Sequence, residues 1–207
     1  MQKNPNISII TNFGCNSNCW YCIWKDHKLN VLPNETDWDL LSHFLYDHWN
    51  SNRVSISGGG DPLYRYDDNK KWWDFLFSIT SRLKLKVSVH TKEFFYLATF
   101  WDNVDRVSFS SDRMNQDEKL YLRYLSSITK VRIVHVVTED TTDEVVEEYL
   151  EMQKDINCQL TFKELVGFDD KGRYKELKAK YPHNFYLDHG DYNLYYMPDN
   201  TITETFL

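Results

Sequence analysis

The stretch Cys15-Asn-Ser-Asn-Cys19-Trp-Tyr-Cys22 directly follows an apolar run, residues 7–13 (ISIITNF), that Gly14 ends. The run has the character of a buried strand. Three cysteines within one short loop can direct three thiolates to a single inorganic centre, and thiolates are soft ligands that select zinc or iron–sulfur clusters. The only other cysteine is Cys158. Three local ligands without a fourth nearby indicate a metal centre with one open position, which is typical of a reactive site.

The spacing CxxxCxxC, with Tyr21 just before the last cysteine, resembles the radical S-adenosylmethionine (radical SAM) superfamily. The resemblance implies that Cys15, Cys19 and Cys22 hold three irons of one [4Fe–4S] cluster, and that SAM chelates the remaining iron. It also implies that reduction of the cluster cleaves SAM to methionine and a 5′-deoxyadenosyl radical, which abstracts hydrogen from the substrate. The protein then supplies position and excludes water. Tyr21 is expected to lie beside the adenine.

A second motif, Gly58-Gly59-Gly60-Asp61-Pro62, follows the second strand-like run. It resembles the glycine-rich SAM-binding motif of the same family, usually Gly-Gly-Glu-Pro and sometimes Gly-Gly-Asp-Pro. Glycine lets the backbone approach a ligand closely. The resemblance implies a backbone contact to the SAM amino group, with Asp61 as an acceptor or local organiser. One additional glycine leaves the register open, and a plain strand-to-helix turn is the alternative.

Three further residues are candidates by position. Ser110 and Asp112 are candidates for binding the SAM ribose hydroxyls or its carboxylate, as polar residues after the fourth strand do in the family. Lys92 is a candidate for pairing with the SAM carboxylate or with an anion of the substrate. For each of them a solvated loop position or a helix cap is the alternative.

Six runs with strand character alternate with helical patterns. The strand-like runs are residues 7–13, 53–57, 85–90, 104–110, 131–137 and 158–166. The helical patterns lie at residues 38–49, 72–83, 94–101, 117–126 and around 145–153, with candidate caps Thr36 and Asp39, Asn115 and Glu118, and Thr141 and Glu144. This alternation predicts an α/β fold with parallel strands. Six units fall short of a closed barrel, so we expect an open partial (β/α)6 barrel, which the resemblance also implies.

A length of 207 residues predicts a single domain over residues 1–207. About residues 184–207 depart from the alternation, because they are rich in tyrosine and contain the turn signal Pro198-Asp199-Asn200. We expect a short C-terminal β-hairpin-like extension there, which caps the sheet edge or leans over the site.

In parallel α/β folds the site lies at the carboxyl ends of the strands. The cysteine loop, the glycine run, Thr91-Lys92 and Ser110-Ser111-Asp112 each follow a strand, so the two motifs support each other. Among the remaining candidates, His90 is placed where it could face the substrate, whereas His135 and Cys158 are expected in the core. His27, just past the cluster loop, is equally well explained as solvent-exposed.

The net charge of −7 excludes a broad nucleic-acid-binding surface, although not a local patch. The sequence shows no signal peptide and no apolar run near the ~20 residues that cross a bilayer. Clustered cysteines in such a chain indicate reduced thiols and a cytoplasmic location. The resemblance implies an external electron donor such as flavodoxin or ferredoxin.

Fold and family do not fix the reaction. The substrate is expected to be a small molecule, a nucleotide or a peptide. Alternatives are an activase of a glycyl-radical enzyme and an enzyme like 7-carboxy-7-deazaguanine synthase. Ile23 weakens the latter, because that group often has Ser or Thr after the third cysteine. An alternative of another class is a zinc-stabilised binding module in which Cys158 completes the ligand set; the length of the sixth strand disfavours it.

Overall fold

The structure is a computed structural model that describes residues 6–26, 32, 35–51, 53–165, 169–182, 185–187 and 193–205. Its strands are β1 (Asn6–Ile10), β2 (Arg53–Ser57), β3 (Lys86–Thr91), β4 (Arg106–Ser110), β5 (Lys130–Val136), β6 (Gln159–Lys163), β7 (Phe185–Leu187), β8 (Asn193–Tyr196) and β9 (Ile202–Thr203). Its helices are α1 (Ile23–Asp26), α2 (Trp38–Asp47), α3 (Lys70–Leu83), α4 (Ala98–Trp101), α5 (Gln116–Ser126), α6 (Asp143–Ile156) and α7 (Arg173–Lys180).

The chain divides into two compact units, residues 1–105 with 192–207 and residues 106–191. In the first unit the strand order is β3-β2-β1-β8-β9, and only β9 is antiparallel to its neighbour. In the second unit the order is β7-β6-β5-β4, and all pairs are parallel. Helices separate the parallel strands along the chain. The predicted α/β class, with six parallel strands β1 to β6 alternating with helices, is confirmed.

The strands form because apolar and small polar side chains alternate along them. In the first unit one set of side chains is almost fully buried, namely Ile7, Ile9, Val54, Ile56, Val87 and Val89. The intervening positions of β1 to β3 are in register as a row of serines, Ser8 beside Ser55 and Ser55 beside Ser88. Helix α3 buries Trp73 and Leu76 completely. The apolar set therefore forms the core, and the serine row lies on the opposite face of the strands.

Two of the predicted helix caps are wrong by one residue. Helix α2 is capped by Asp37, whose carboxylate accepts a hydrogen bond from the Leu40 N–H (2.9 Å), and not by Thr36. Helix α6 is capped by Thr142. Thr141 is drawn away from the cap because its hydroxyl contacts His135 Nε2 (3.0 Å) and accepts from the Thr138 N–H (3.0 Å).

The capping box of α5 is confirmed. The Asn115 side chain accepts from the Glu118 N–H (2.9 Å), and the Glu118 carboxylate accepts from the Asn115 N–H (2.8 Å). Strands β1 and β6 end earlier than predicted: β1 stops at Ile10 and β6 at Lys163. Val166, the last residue of the predicted sixth strand, lies outside the described residues.

The C-terminal segment contributes strands to the sheet at two places. Strand β7 joins β6 in parallel, as a further strand that the hairpin prediction did not anticipate. The hairpin itself consists of β8 and β9, and β8 covers the edge of β1. The Asn200 side chain anchors it, accepting from the Asp37 N–H (2.8 Å) and the Tyr196 hydroxyl (2.6 Å) and donating to the Glu35 carbonyl (2.8 Å). The predicted extension at the sheet edge is confirmed in this part.

None of the helices in the described residues is long and apolar enough to span a bilayer.

Candidate functional site

The three clustered cysteines lie on the loop between β1 and α1, beyond the carboxyl end of β1. All three are free thiols with partly buried side chains. Cys15 Sγ accepts a hydrogen bond from the Ser17 N–H (3.3 Å), and the Cys22 carbonyl accepts from the Lys25 N–H (3.0 Å). Burial raises the pKa of the Cys15 thiol, and the nearby Asp61 carboxylate contributes in the same direction. A bound cation or metal would reverse this preference and favour the thiolate.

The glycine run is packed directly against the start of the cysteine loop. Gly60 forms a bridge with Gly14, and the Asp61 N–H donates to the Gly14 carbonyl (2.8 Å). A Cβ on Gly59 would lie 1.8 Å from the Thr11 carbonyl oxygen, and one on Gly60 would lie 2.3 Å from the Gly14 carbonyl oxygen. Glycine is therefore needed here because two backbone segments touch. The two sequence motifs meet at one junction, at the ends of neighbouring strands β1 and β2.

The buried side chain of Asp61 forms hydrogen bonds that stabilise this junction. Its side chain is buried, and its carboxylate accepts hydrogen bonds from the Thr91 hydroxyl (2.8 and 2.9 Å), the Lys92 N–H (2.6 Å) and the Leu63 N–H (2.9 Å). Burial raises the pKa of Asp61, and these hydrogen bonds oppose that shift. The carboxylate thus ties the glycine turn to the end of β3. Of the two roles expected for Asp61, the structure provides the observations for local organiser.

Lys92 follows β3 and points its ammonium at the cysteine loop, with Nζ 3.3 Å from Cys19 Sγ. Its own N–H is the one that Asp61 accepts, so the position of Lys92 is fixed by the junction. The ammonium therefore places a positive charge beside one of the sulfur atoms that are candidates for binding a metal. The pairing of Lys92 with an anion of SAM or of the substrate remains a prediction.

Glu93 is a residue that sequence reasoning missed. Its Oε1 is buried and has no hydrogen-bond partner. Burial raises the pKa of Glu93, the Asp61 carboxylate raises it further, and a hydrogen bond with Asn16 in the cysteine loop lowers it. The signal in the sequence is an acid immediately after the Thr91-Lys92 pair at a strand end. An unpaired buried carboxylate oxygen beside this loop suits a cationic ligand group.

Tyr21 is partly buried and contacts the exposed Trp20 edge to face, with ring centroids 5.3 Å apart. The prediction that Tyr21 lies beside an adenine remains a prediction. Ser110 is the last residue of β4, and Asp112 follows two residues later, both in the second unit. Helix α5 is capped by Asn115, so capping does not account for Asp112.

The structure describes three of the four remaining candidate residues. His135 is buried, with Nδ1 3.2 Å from the Ser111 carbonyl and Nε2 3.0 Å from the Thr141 hydroxyl, and this confirms its core position. Cys158 is buried, and burial raises its pKa to about 11, which makes it an inert thiol. His90, the fifth residue of β3, is partly buried. His27 lies outside the described residues.

The donor set fits an iron–sulfur cluster and a cationic cofactor. Three soft sulfur ligands share one loop, and the buried carboxylate oxygen of Glu93 next to it suits the ammonium or sulfonium of SAM. Within the described residues, no three His, Cys, Asp or Glu side chains form a compact metal-binding group. The assignment of the cluster to Cys15, Cys19 and Cys22 therefore rests on their spacing and chemistry.

No protein-family model matches this sequence, and no curated protein matches it either. Solved structures do match. SuiB of Streptococcus suis bound to S-adenosylmethionine aligns with 98% of this chain and 58% of its own, at 14% identity and a TM-score of 0.72. SuiB bound to the precursor peptide SuiA aligns with 97% and 59%, at 14% identity and a TM-score of 0.71. The AdoMet-bound anSMEcpe aligns with 84% and 57%, at 18% identity and a TM-score of 0.58.

The chain spans less than two thirds of the length of these solved chains. At such identities the likeness shows the fold alone. The chain therefore has the fold of these proteins, two of whose structures are described as bound to SAM.

Proposed function

We propose that this chain is a radical SAM enzyme in which Cys15, Cys19 and Cys22 hold a single [4Fe–4S] cluster. When bound, the cluster and SAM supply an electron and a 5′-deoxyadenosyl radical that takes hydrogen from the substrate. The observation that carries the proposal is the junction at which Gly60 and Asp61 contact Gly14, because it brings the glycine turn against the cysteine loop. The fold shared with two SAM-bound structures supports it.

The chain's own residues would bind and position the reactants. The three thiolates would hold the cluster, and the Lys92 ammonium beside Cys19 would offset their negative charge. The backbone of Gly58, Gly59 and Gly60 would lie along SAM. Asp61 would keep that turn fixed relative to β3, and the Glu93 carboxylate would accept the SAM ammonium. Partial burial of the cysteine loop would limit the access of water.

The electron would come from an external donor such as flavodoxin or ferredoxin. The thiols must stay reduced to bind iron, which favours the cytoplasm. The external electron donor and the cytoplasmic location are both part of the proposal.

The substrate proposed is a small molecule, a nucleotide or a peptide. The likeness to SuiB bound to its precursor peptide supports a peptide among these. A glycyl-radical activase and an enzyme like 7-carboxy-7-deazaguanine synthase are the narrower alternatives, and Ile23 in the place of Ser or Thr argues against the second.

Anaerobic reconstitution with iron and sulfide tests the cluster. We expect a brown protein with about four irons and four sulfides per chain, because three cysteines and SAM complete one cubane. Metal analysis and the visible absorption spectrum measure this. A colourless protein that retains zinc would support the zinc-stabilised module and contradict the proposal.

A further inference from the structure

Strands β4, β5 and β6 of the second unit have two chemically different faces. On one face Phe109 contacts Tyr121 of α5 (5.8 Å between ring centroids), and His135 contacts Tyr149 of α6 (4.8 Å). The apolar residues of this face are buried. Because successive side chains alternate between faces, the intervening residues lie on the face opposite these helices.

The strand register defines that opposite face. Ser110 lies beside Val134, and Val134 lies beside Thr161. One step nearer the carboxyl ends, Val136 lies beside Lys163. Lys163 is therefore the position of β6 on this face that is closest to the carboxyl edge, where ligands bind in parallel α/β folds.

This face carries positive charge only. Its charged positions in β4 to β6 are Arg106, Lys130, Arg132 and Lys163, and these strands place no carboxylate among them. The net charge of the whole chain is −7, so the face differs in sign from the protein as a whole. Charge complementarity predicts an anionic occupant.

Nearer the amino ends of the strands, side chains of this face form hydrogen bonds with one another. Gln159 Oε1 accepts from Arg132 Nε (2.9 Å) and from Arg106 Nη1 (3.5 Å). Thr161 lies one step further along the same face of β6 than Gln159, and it is 1% exposed. Its hydroxyl has no hydrogen-bond partner. Because an unpaired buried polar group is costly, this hydroxyl indicates a place for a polar ligand.

Lys163 is the charged residue of this face that lies closest to the carboxyl ends of the strands. The Lys163 side chain is partly buried, and within the described residues its ammonium has no ion-pair or hydrogen-bond partner. Burial lowers the pKa of Lys163 below the usual lysine value, with no neighbouring charge opposing the shift. A partly buried ammonium without a counter-charge is stabilised by a ligand that brings that charge. Such groups are concentrated at functional sites.

We propose that Lys163, with the hydroxyl of Thr161 on the same face of β6, binds an anionic group of the substrate, either a carboxylate or a phosphate. The inference rests on the proposed function and names the substrate class for it. The ammonium supplies the counter-charge, and the Thr161 hydroxyl donates a hydrogen bond to an oxygen of the anion. The substrate is thus held at the carboxyl edge of β6 by a charged end.

Calorimetric titration of the reconstituted protein, with and without saturating SAM, tests this inference. The probes are benzoate, its neutral isostere benzamide, and inorganic phosphate. We expect benzoate or phosphate to bind and benzamide to bind at least about tenfold more weakly, since a charge-assisted pair contributes roughly 1.5–3 kcal/mol. Binding of benzoate alone identifies a carboxylate substrate, and binding of phosphate alone identifies a phosphate ester.

Lys163→Met is expected to weaken binding of the anion by at least about tenfold. The matched control Lys130→Met removes an exposed lysine from the same face and is expected to leave binding unchanged. Thr161→Val, which keeps the side-chain volume, should weaken it by a few fold and serves if Lys163→Met does not fold.

The inference is overturned if no probe binds, if benzamide equals benzoate, or if Lys163→Met binds normally. It is also overturned if saturating SAM abolishes anion binding, because the site would then belong to the SAM carboxylate. Failure of anion binding in a protein that assembles its cluster removes this inference alone. Failure of cluster assembly with intact anion binding removes the proposed function instead.

Discussion

Replacing Cys19 by alanine is expected to reduce SAM cleavage to background. The three thiolates are the only protein ligands proposed for the cluster. The one other cysteine, Cys158, cannot replace them, because it is buried and burial raises its pKa to about 11. Loss of one ligand removes the iron centre that delivers the electron. Cys15→Ala and Cys22→Ala should behave in the same way. Formation of 5′-deoxyadenosine under anaerobic conditions with dithionite measures the effect.

The matched control is Cys158→Ala, which removes a thiol of the same type from the core of the other unit. It should retain the cluster and most of the SAM cleavage, at a modest cost in stability for a buried small side chain. Equal loss of activity in Cys158→Ala and Cys19→Ala would refute the single-cluster assignment, since it would make Cys158 a ligand.

Gly60→Ala is expected to have the second largest effect, because it forces apart the two backbone segments that meet at the junction. Gly60 has φ +95°, and its added Cβ would lie 2.3 Å from the Gly14 carbonyl oxygen. The contact adds roughly 1–3 kcal/mol of overpacking to the strain of a left-handed residue. The free energy of unfolding, from urea denaturation, measures the loss, and the affinity for SAM should fall with it.

Gly172→Ala separates the two contributions to that loss. Gly172 has φ +80°, and nothing lies within 4 Å of its added Cβ, so the substitution imposes the backbone strain without the clash. We expect Gly60→Ala to be clearly the more destabilising of the two and Gly172→Ala to leave SAM affinity unchanged. Equal destabilisation, or a normal SAM affinity in Gly60→Ala, would show that the junction does not position the glycine turn.

The sequence predicted the positions of both motifs because each is a local pattern at the end of a strand. The sequence did not predict that the two motifs contact each other. The bridge between Gly14 and Gly60 joins residues far apart in the chain, and only the folded backbone shows that the glycines serve this approach. Glu93 was missed for a similar reason, since its significance depends on burial and on an unpaired oxygen.

Local ambiguity explains the smaller errors. Thr36 and Asp37, like Thr141 and Thr142, are adjacent residues that can each cap a helix. In the second pair, the contact of Thr141 with His135 leaves Thr142 as the cap. Strand β7 was not expected because its three residues form a strand only beside β6. In the sequence, Lys163 lies inside the predicted sixth strand, and only the observed end of β6 and its register with Val136 place it at the carboxyl edge.

The central claim is that the three thiolates leave one iron free for SAM. Its most direct test is the formation of 5′-deoxyadenosine from SAM by the fully reconstituted wild-type protein with dithionite, without added substrate. The account predicts slow, uncoupled formation of 5′-deoxyadenosine with an equal amount of methionine. A protein that holds a complete cluster and yet leaves SAM intact would contradict it.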